Sequence, residues 1–177
     1  MTTAPLAELE VQALLRPVAS DWSAVSPVVR VLEIAAGPAW TERCRAVGDL
    51  PLGSAVITEA GDLKAEFVIH VAVRSADEQV GPRTVELALR NGLRRAEEWG
   101  VRELALPLLG TGPGNLEPRV ACAAMAGPLD DFAAAPAGDR RVLVCVASDF
   151  EREAALARWG EGRAGAGRGA ADREGAD

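Results

Sequence analysis

The sequence predicts an α/β domain in three layers, with a mixed, mostly parallel sheet of five or six strands flanked by helices. Three observations point there. Short β-branched runs alternate with longer amphipathic stretches along the chain. Aromatic residues are scarce (four Trp, three Phe and no Tyr), so Val, Leu, Ile and Ala must build the core, as in a sheet covered on both faces. With 177 residues, the chain has the length of one domain.

The elements follow in order. Residues 10–15 (EVQALL) open as a short strand. Ser26-Pro27 reads as a helix start, a capping hydroxyl followed by proline at the first helical position, and the helix runs to Gly37-Pro38. A second short helix passes through Trp40 and Cys44 to about Gly48. Residues 54–58 (SAVIT) and 66–73 (EFVIHVAV) are two strands separated by a turn at Gly61-Asp62. Residues 84–99 form the clearest helix: Val85, Leu89, Leu93 and Ala96 make an apolar stripe and Gly100 stops it.

Residues 102–109 (RELALPLL) are a strand ending in a Gly-rich turn. A helix begins at Glu117, and Gly127-Pro128 is expected to interrupt it. Residues 141–147 (RVLVCVA) form an apolar strand, after which Asp149 caps a last helix reaching about Trp159. We expect residues 1–159 to be the domain. Residues 160–177 are expected to be a disordered tail, because Gly, Ala, Arg, Glu and Asp there offer no large apolar side chain to offset ordering entropy.

Charge and composition exclude several functions. A net charge of −7 argues against general nucleic-acid binding, which relies on a basic face. It leaves room for a small phosphate ligand held by backbone N–H groups. Cys44, Cys122 and Cys145 lack metal spacing and read as small buried residues in a reducing compartment. His70 stands without a second histidine, so a metal site is not expected and a hydrogen-bonded structural role is. Residues 1–5 lack a basic region followed by an apolar run, and no run is long enough to span a membrane, so a cytoplasmic protein is expected.

The turn after residues 102–109 is the strongest candidate site. Gly110, Gly112 and Gly114 permit positive φ and close approach of a ligand to the backbone. Thr111 and Asn115 can add side-chain hydrogen bonds. The same spacing also suits a tight strand-to-helix connection with no ligand. No Gly-Lys-Ser/Thr follows, so the turn is not a Walker loop.

From Ala36 to Asn115 the chain resembles a macro domain, the family that binds ADP-ribose and its derivatives. The resemblance is carried by Ala36-Gly37-Pro38 with Cys44, then Gly53-Ser54-Ala55-Val56-Ile57-Thr58, then Leu63 and Phe67-Val68-Ile69-His70. It continues in Leu106-Pro107-Leu108-Leu109-Gly110-Thr111-Gly112, in the family's order, and extends to the strand at Val142–Val146 with Asp149-Phe150. It implies that residues 110–115 wrap a pyrophosphate and the distal ribose, that Phe150 lies near the adenosine, and that no cofactor is needed.

Three departures accompany the resemblance. Arg16-Pro17-Val18-Ala19 stands where the family carries Asn-Ala-Ala-Asn. Residues 23–27 (SAVSP) contain no glycine where a second Gly-rich loop is usual, and no Asp precedes Leu14 to read an adenine. These losses weigh against catalysis and assign no catalytic residue. Arg16, at a strand end facing the site, would hold a phosphate or carboxylate through its planar fork, or else pair with a nearby acid such as Asp21. The expected function is binding of ADP-ribose or a related nucleotide or phosphate ligand. The alternatives are an ADP-ribosyl or O-acetyl-ADP-ribose hydrolase, and a protein-interaction domain that has lost its ligand.

Overall fold

The computed structural model describes residues 1–112, 116–134 and 140–160. Among these, five strands form one sheet: β1 (Ala13–Ala19), β2 (Ala55–Glu59), β3 (Phe67–Arg74), β4 (Glu103–Pro107) and β5 (Arg141–Cys145). Their order is β2-β3-β1-β4-β5, with β2 antiparallel to β3 and the other pairs parallel. The helices are α1 (Pro27–Ala36), α2 (Pro38–Ala46), α3 (Pro82–Glu98), α4 (Pro118–Ala134) and α5 (Asp149–Trp159). No helix among the described residues is long and apolar enough to cross a membrane.

Strand alternation sorts the core into two layers. Leu15 of β1, Ile69 and Val71 of β3, and Leu104 and Leu106 of β4 meet Val85, Leu89 and Met125 from α3 and α4. On the other face Leu14, Val18, Val68 and Ala72 meet Leu32, Trp40 and Cys44 from α1 and α2. The predicted stripe of α3 is its buried face, and Gly92 lets it lie close: a Cβ there would stand 2.7 Å from Val71 Cγ1. Cys44, Cys122 and Cys145 are all buried and free.

Three local expectations are corrected. The first strand lies at Ala13–Ala19, later than residues 10–15, because the run Ala13-Leu14-Leu15 continues through Arg16-Pro17 as a fully buried central strand. Pro17 cannot donate to a ladder; β1 pairs with β4 only at Ala13 and Leu14, and Pro17 stands beyond that ladder. The fourth helix continues through Gly127-Pro128 to Ala134. Proline clashes partly with the Cβ of the residue before it, which Gly127 lacks, and Met125, Leu129 and Phe132 anchor both sides of the break in the core. The last helix is capped by Ser148, whose Oγ accepts the Glu151 N–H at 3.2 Å, with Asp149 as its first residue. In addition, Thr2 adds a bridge to the β5 edge: its N–H donates to Val144 O, and its carbonyl accepts from Val146 N–H, both at 3.0 Å.

Candidate functional site

The chain leaves β1 for β2 and β3 on one side and later for β4 and β5 on the other, so the sheet order reverses at β1. Beside such a reversal, beyond the carboxyl ends of the strands, open α/β sheets leave a crevice. Here it has a volume of about 530 Å3. Pro107, Leu108, Thr111 and Gly112 line it beyond β4, and Cys145, Val146, Ala147 and Ser148 beyond β5. The start of α1 (Ser26, Pro27, Val28) forms another wall, and Thr3, Ala4, Pro5 and Leu6 close it from the N-terminal segment.

Two helices therefore present their first turns to this space. Ser26 Oγ accepts the Val29 N–H at 3.4 Å at the start of α1, and Ser148 does the same for α5. The remaining N–H groups of a first helical turn have no partner within the helix and favour anions. Glu151 reaches back from α5 into the crevice wall. Its Oε2 accepts the Ala147 N–H at 2.7 Å and its Oε1 accepts the Thr111 hydroxyl at 2.5 Å. Among the described residues that line it there is no Lys or Arg.

The residues singled out from sequence separate in space. Thr111 and Gly112 line the crevice. Gly110 serves the turn itself: its φ is 82°, a Cβ would stand 2.8 Å from Val80 Cγ1, and its carbonyl accepts the Leu116 N–H at 2.8 Å. Gly114 and Asn115 lie outside the described residues. Phe150 is 78% exposed and faces a separate groove with Glu117, Arg119 and Glu153. It sits between Ser148 and Glu151 in sequence but about 100° of helical turn away from each neighbouring position, so it misses the crevice.

Arg16 is neither at a strand end nor at the mouth. It lies within β1, opposite His70 of β3, and both side chains project toward α1 and α2. Its guanidinium is ion-paired with Glu33 of α1 and donates to His70 Nδ1 and to Trp22 O, each at 3.1 Å. Trp40 stacks above it, with the guanidinium carbon 5.3 Å from the ring centroid. Burial pushes the guanidinium's pKa down and Glu33 opposes that shift. Arg16 is thus paired with an acid, though a buried one on α1; Asp21 instead closes a local turn by accepting the Ser23 N–H at 3.0 Å.

His70 is fully buried, and its protonation can be assigned from its partners. Arg16 can only donate, so Nδ1 accepts and the proton resides on Nε2. That N–H donates to Thr58 Oγ1 at 2.9 Å, and the Thr58 hydroxyl donates to Glu59 O at 3.0 Å. Burial, with Arg16 adding to it, holds the imidazole well below its ordinary range and therefore neutral. Trp22 has a positive φ of 68°, unusual for a large side chain. Its indole N–H bonds to Gly48 O at 2.6 Å and its ring meets His70 edge-on at 5.0 Å, which fix it there. The cluster is a sealed structural joint between β1, β3, α1 and α2, separate from the crevice lining.

Sequence reasoning missed Glu151 and the N-terminal wall. Ser148-x-x-Glu151 has the spacing of a capping box and would have signalled an acid folded back at this strand end. Nothing in Thr3-Ala4-Pro5-Leu6 signals a crevice wall, since its position depends on the Thr2 bridge to β5.

The macro domain family model matches residues 20–125. A macro domain-containing protein of Cupriavidus necator is 33% identical over 79% of this chain and 85% of its own length. The O-acetyl-ADP-ribose deacetylase of Enterobacter cloacae is 40% identical over 44% of this chain and 47% of that protein. Among solved structures, the Oceanobacillus iheyensis macrodomain with ADP superposes with a TM-score of 0.77 at 17% identity, covering 88% of this chain and 86% of that one. The match to a Sulfurisphaera tokodaii protein spans only 38% of that relative's length. The chain belongs to the macro domain family.

Proposed function

We propose that this macro domain binds a nucleotide diphosphate related to ADP-ribose in the crevice beyond β4 and β5. The observation that carries the reading is the crevice itself. At about 530 Å3 it falls within the range of small-molecule sites, and the Thr111-Gly112 turn and two helix starts converge on it. With no Lys or Arg among the described lining residues, phosphate recognition falls to backbone N–H groups, which fits the acidic chain. The O. iheyensis macrodomain has been solved with ADP, which supports a ligand of this class here.

The test is calorimetry with ADP-ribose, ADP, AMP and inorganic phosphate. We expect the diphosphates to bind more tightly than the others. Gly112→Val adds a branched side chain to the crevice wall, and it should weaken ADP-ribose by about tenfold or more while leaving the fold intact. No binding of any diphosphate at millimolar concentration would favour an interaction domain without ligand. Binding indifferent to Gly112→Val would place the ligand elsewhere.

Catalysis is not part of the proposal. Among the described residues the crevice has one lining carboxylate, Glu151, which is engaged by Thr111 and Ala147, and His70 is sealed in the core. Purified protein is therefore expected to release ADP-ribose from modified protein, and to deacetylate O-acetyl-ADP-ribose, far more slowly than about one turnover per second. Turnover at that rate would replace the binding module by a hydrolase.

A further inference from the structure

We propose that Glu151 acts as an internal anion that keeps phosphate away from the α5 end of the crevice and reserves that end for hydroxyl groups of the ligand. The inference deepens the ligand-binding reading and rests on it for the identity of the hydroxyls, though not for the exclusion of phosphate.

The carboxylate occupies the place a bound anion would take. It stands at the first turn of α5, where the helix favours negative charge, and the residue is only 9% exposed. It consumes two donors that a phosphate would need on this side, the Ala147 N–H and the Thr111 hydroxyl. A phosphate arriving here would meet a near-buried like charge, with no cation among the described lining residues to offset it. A carboxylate offers about four acceptor positions, of which the described residues use two. The remaining ones can only accept, so a sugar diol, which brings two O–H donors, suits them and an unprotonated phosphate oxygen does not. The first turn of α1, on the opposite wall, carries no acid. The ligand's orientation follows: diphosphate toward α1, sugar hydroxyls toward Glu151.

Pyrophosphate is the probe for exclusion. Glu151→Gln keeps a carbonyl oxygen for the Ala147 N–H and removes the charge. It should tighten pyrophosphate binding about tenfold or more, a change of the size removal of a close like charge gives. Glu153→Gln removes the same charge from the exposed face of the same helix and should change it by less than about twofold, as screened surface charges do. Equal effects of the two variants, or no effect of Glu151→Gln, would overturn the proposal. Should Glu151→Gln fail to fold, the wild-type protein still decides: its Ala147 amide resonance should stay in place at saturating pyrophosphate. A shift showing that the anion has displaced the carboxylate would overturn the idea. For the hydroxyl role, ADP is compared with its 2′,3′-dideoxy analogue. Loss of the diol should weaken binding to the wild type about tenfold and leave Glu151→Gln little affected. Equal losses in both proteins would overturn that role. If the wild type binds neither nucleotide, the nucleotide reading fails, and the pyrophosphate measurements still stand or fall on their own.

Discussion

Glu33→Ala is expected to destabilise the fold by about 3–5 kcal/mol, among the largest effects available to a single substitution in this chain. The reason lies in what would remain. Arg16 is 1% exposed, its Nε has no hydrogen-bond partner among the described residues, and without Glu33 its charge would be left with two neutral acceptors, His70 Nδ1 and Trp22 O. Breaking one side of a buried pair strands the other charge in an apolar setting. The reverse substitution is milder. After Arg16→Met, Glu33 keeps Arg30, whose guanidinium lies 3.2 Å from its Oε2 and is largely exposed. The acid therefore retains a cation and a path to solvent. Arg16→Met still leaves His70 Nδ1 and Trp22 O without their donor, so we expect a loss of about 2–3 kcal/mol, less than for Glu33→Ala. Urea unfolding of the two variants measures both. A loss under about 1 kcal/mol for Glu33→Ala would mean that water reaches Arg16 and the joint is not sealed.

This pair also marks where the sequence could and could not be read. The helix caps and periodic stripes are local features, and they carried over: Ser26-Pro27 does start α1, and the apolar stripe of α3 is its buried face. The β-branched runs at residues 54–58 and 66–73 became β2 and β3 with shifted ends. Long-range partners are another matter. Arg16 at the predicted strand terminus had two candidate roles, phosphate ligand or partner of an acid nearby in sequence. Its actual partners come from α1 and β3, brought together by the parallel register that sets Arg16 beside His70. The same limitation hid the crevice wall at Thr3–Leu6, which is held by the Thr2 bridge to the β5 edge and by the buried Leu6. Pro128 misled for a different reason. Its intrinsic cost of about 3 kcal/mol is a local rule, and core packing on both sides of it outweighs that cost. The candidate site was legible as a turn, since Thr111 and Gly112 do face the crevice. The acid that faces them from α5, Glu151, was legible only as a capping-box spacing.

The stability of the protein is expected to fall as pH drops below about 6.5, and His70 is the cause. In the fold its imidazole is neutral, since burial and the adjacent Arg16 hold its pKa well below the ordinary value. In the unfolded chain it titrates normally, near about 6.5. Between those two values the unfolded state binds a proton that the folded state refuses, so stability decreases as pH decreases. The contribution is fully present above the unfolded value and is lost as pH falls toward the folded one. Within that window the slope approaches about 1.4 kcal/mol per pH unit. The chain has a single histidine, so no other imidazole contributes in that window. The charged and titratable groups facing His70 do not replace it: Arg16 stays protonated, and burial raises the Cys44 thiol away from this range. His70→Gln should lower stability at every pH, because its Arg16 and Thr58 partners lose their fixed geometry. It should also flatten the profile between about pH 6.5 and 5, and that change of slope identifies the titrating group. Urea midpoints at half-unit steps of pH, for wild type and variant, make the measurement. A wild-type profile that is flat across the window, or an equal slope in His70→Gln, would show that His70 is accessible to protons in the fold and that the joint around Arg16 is open.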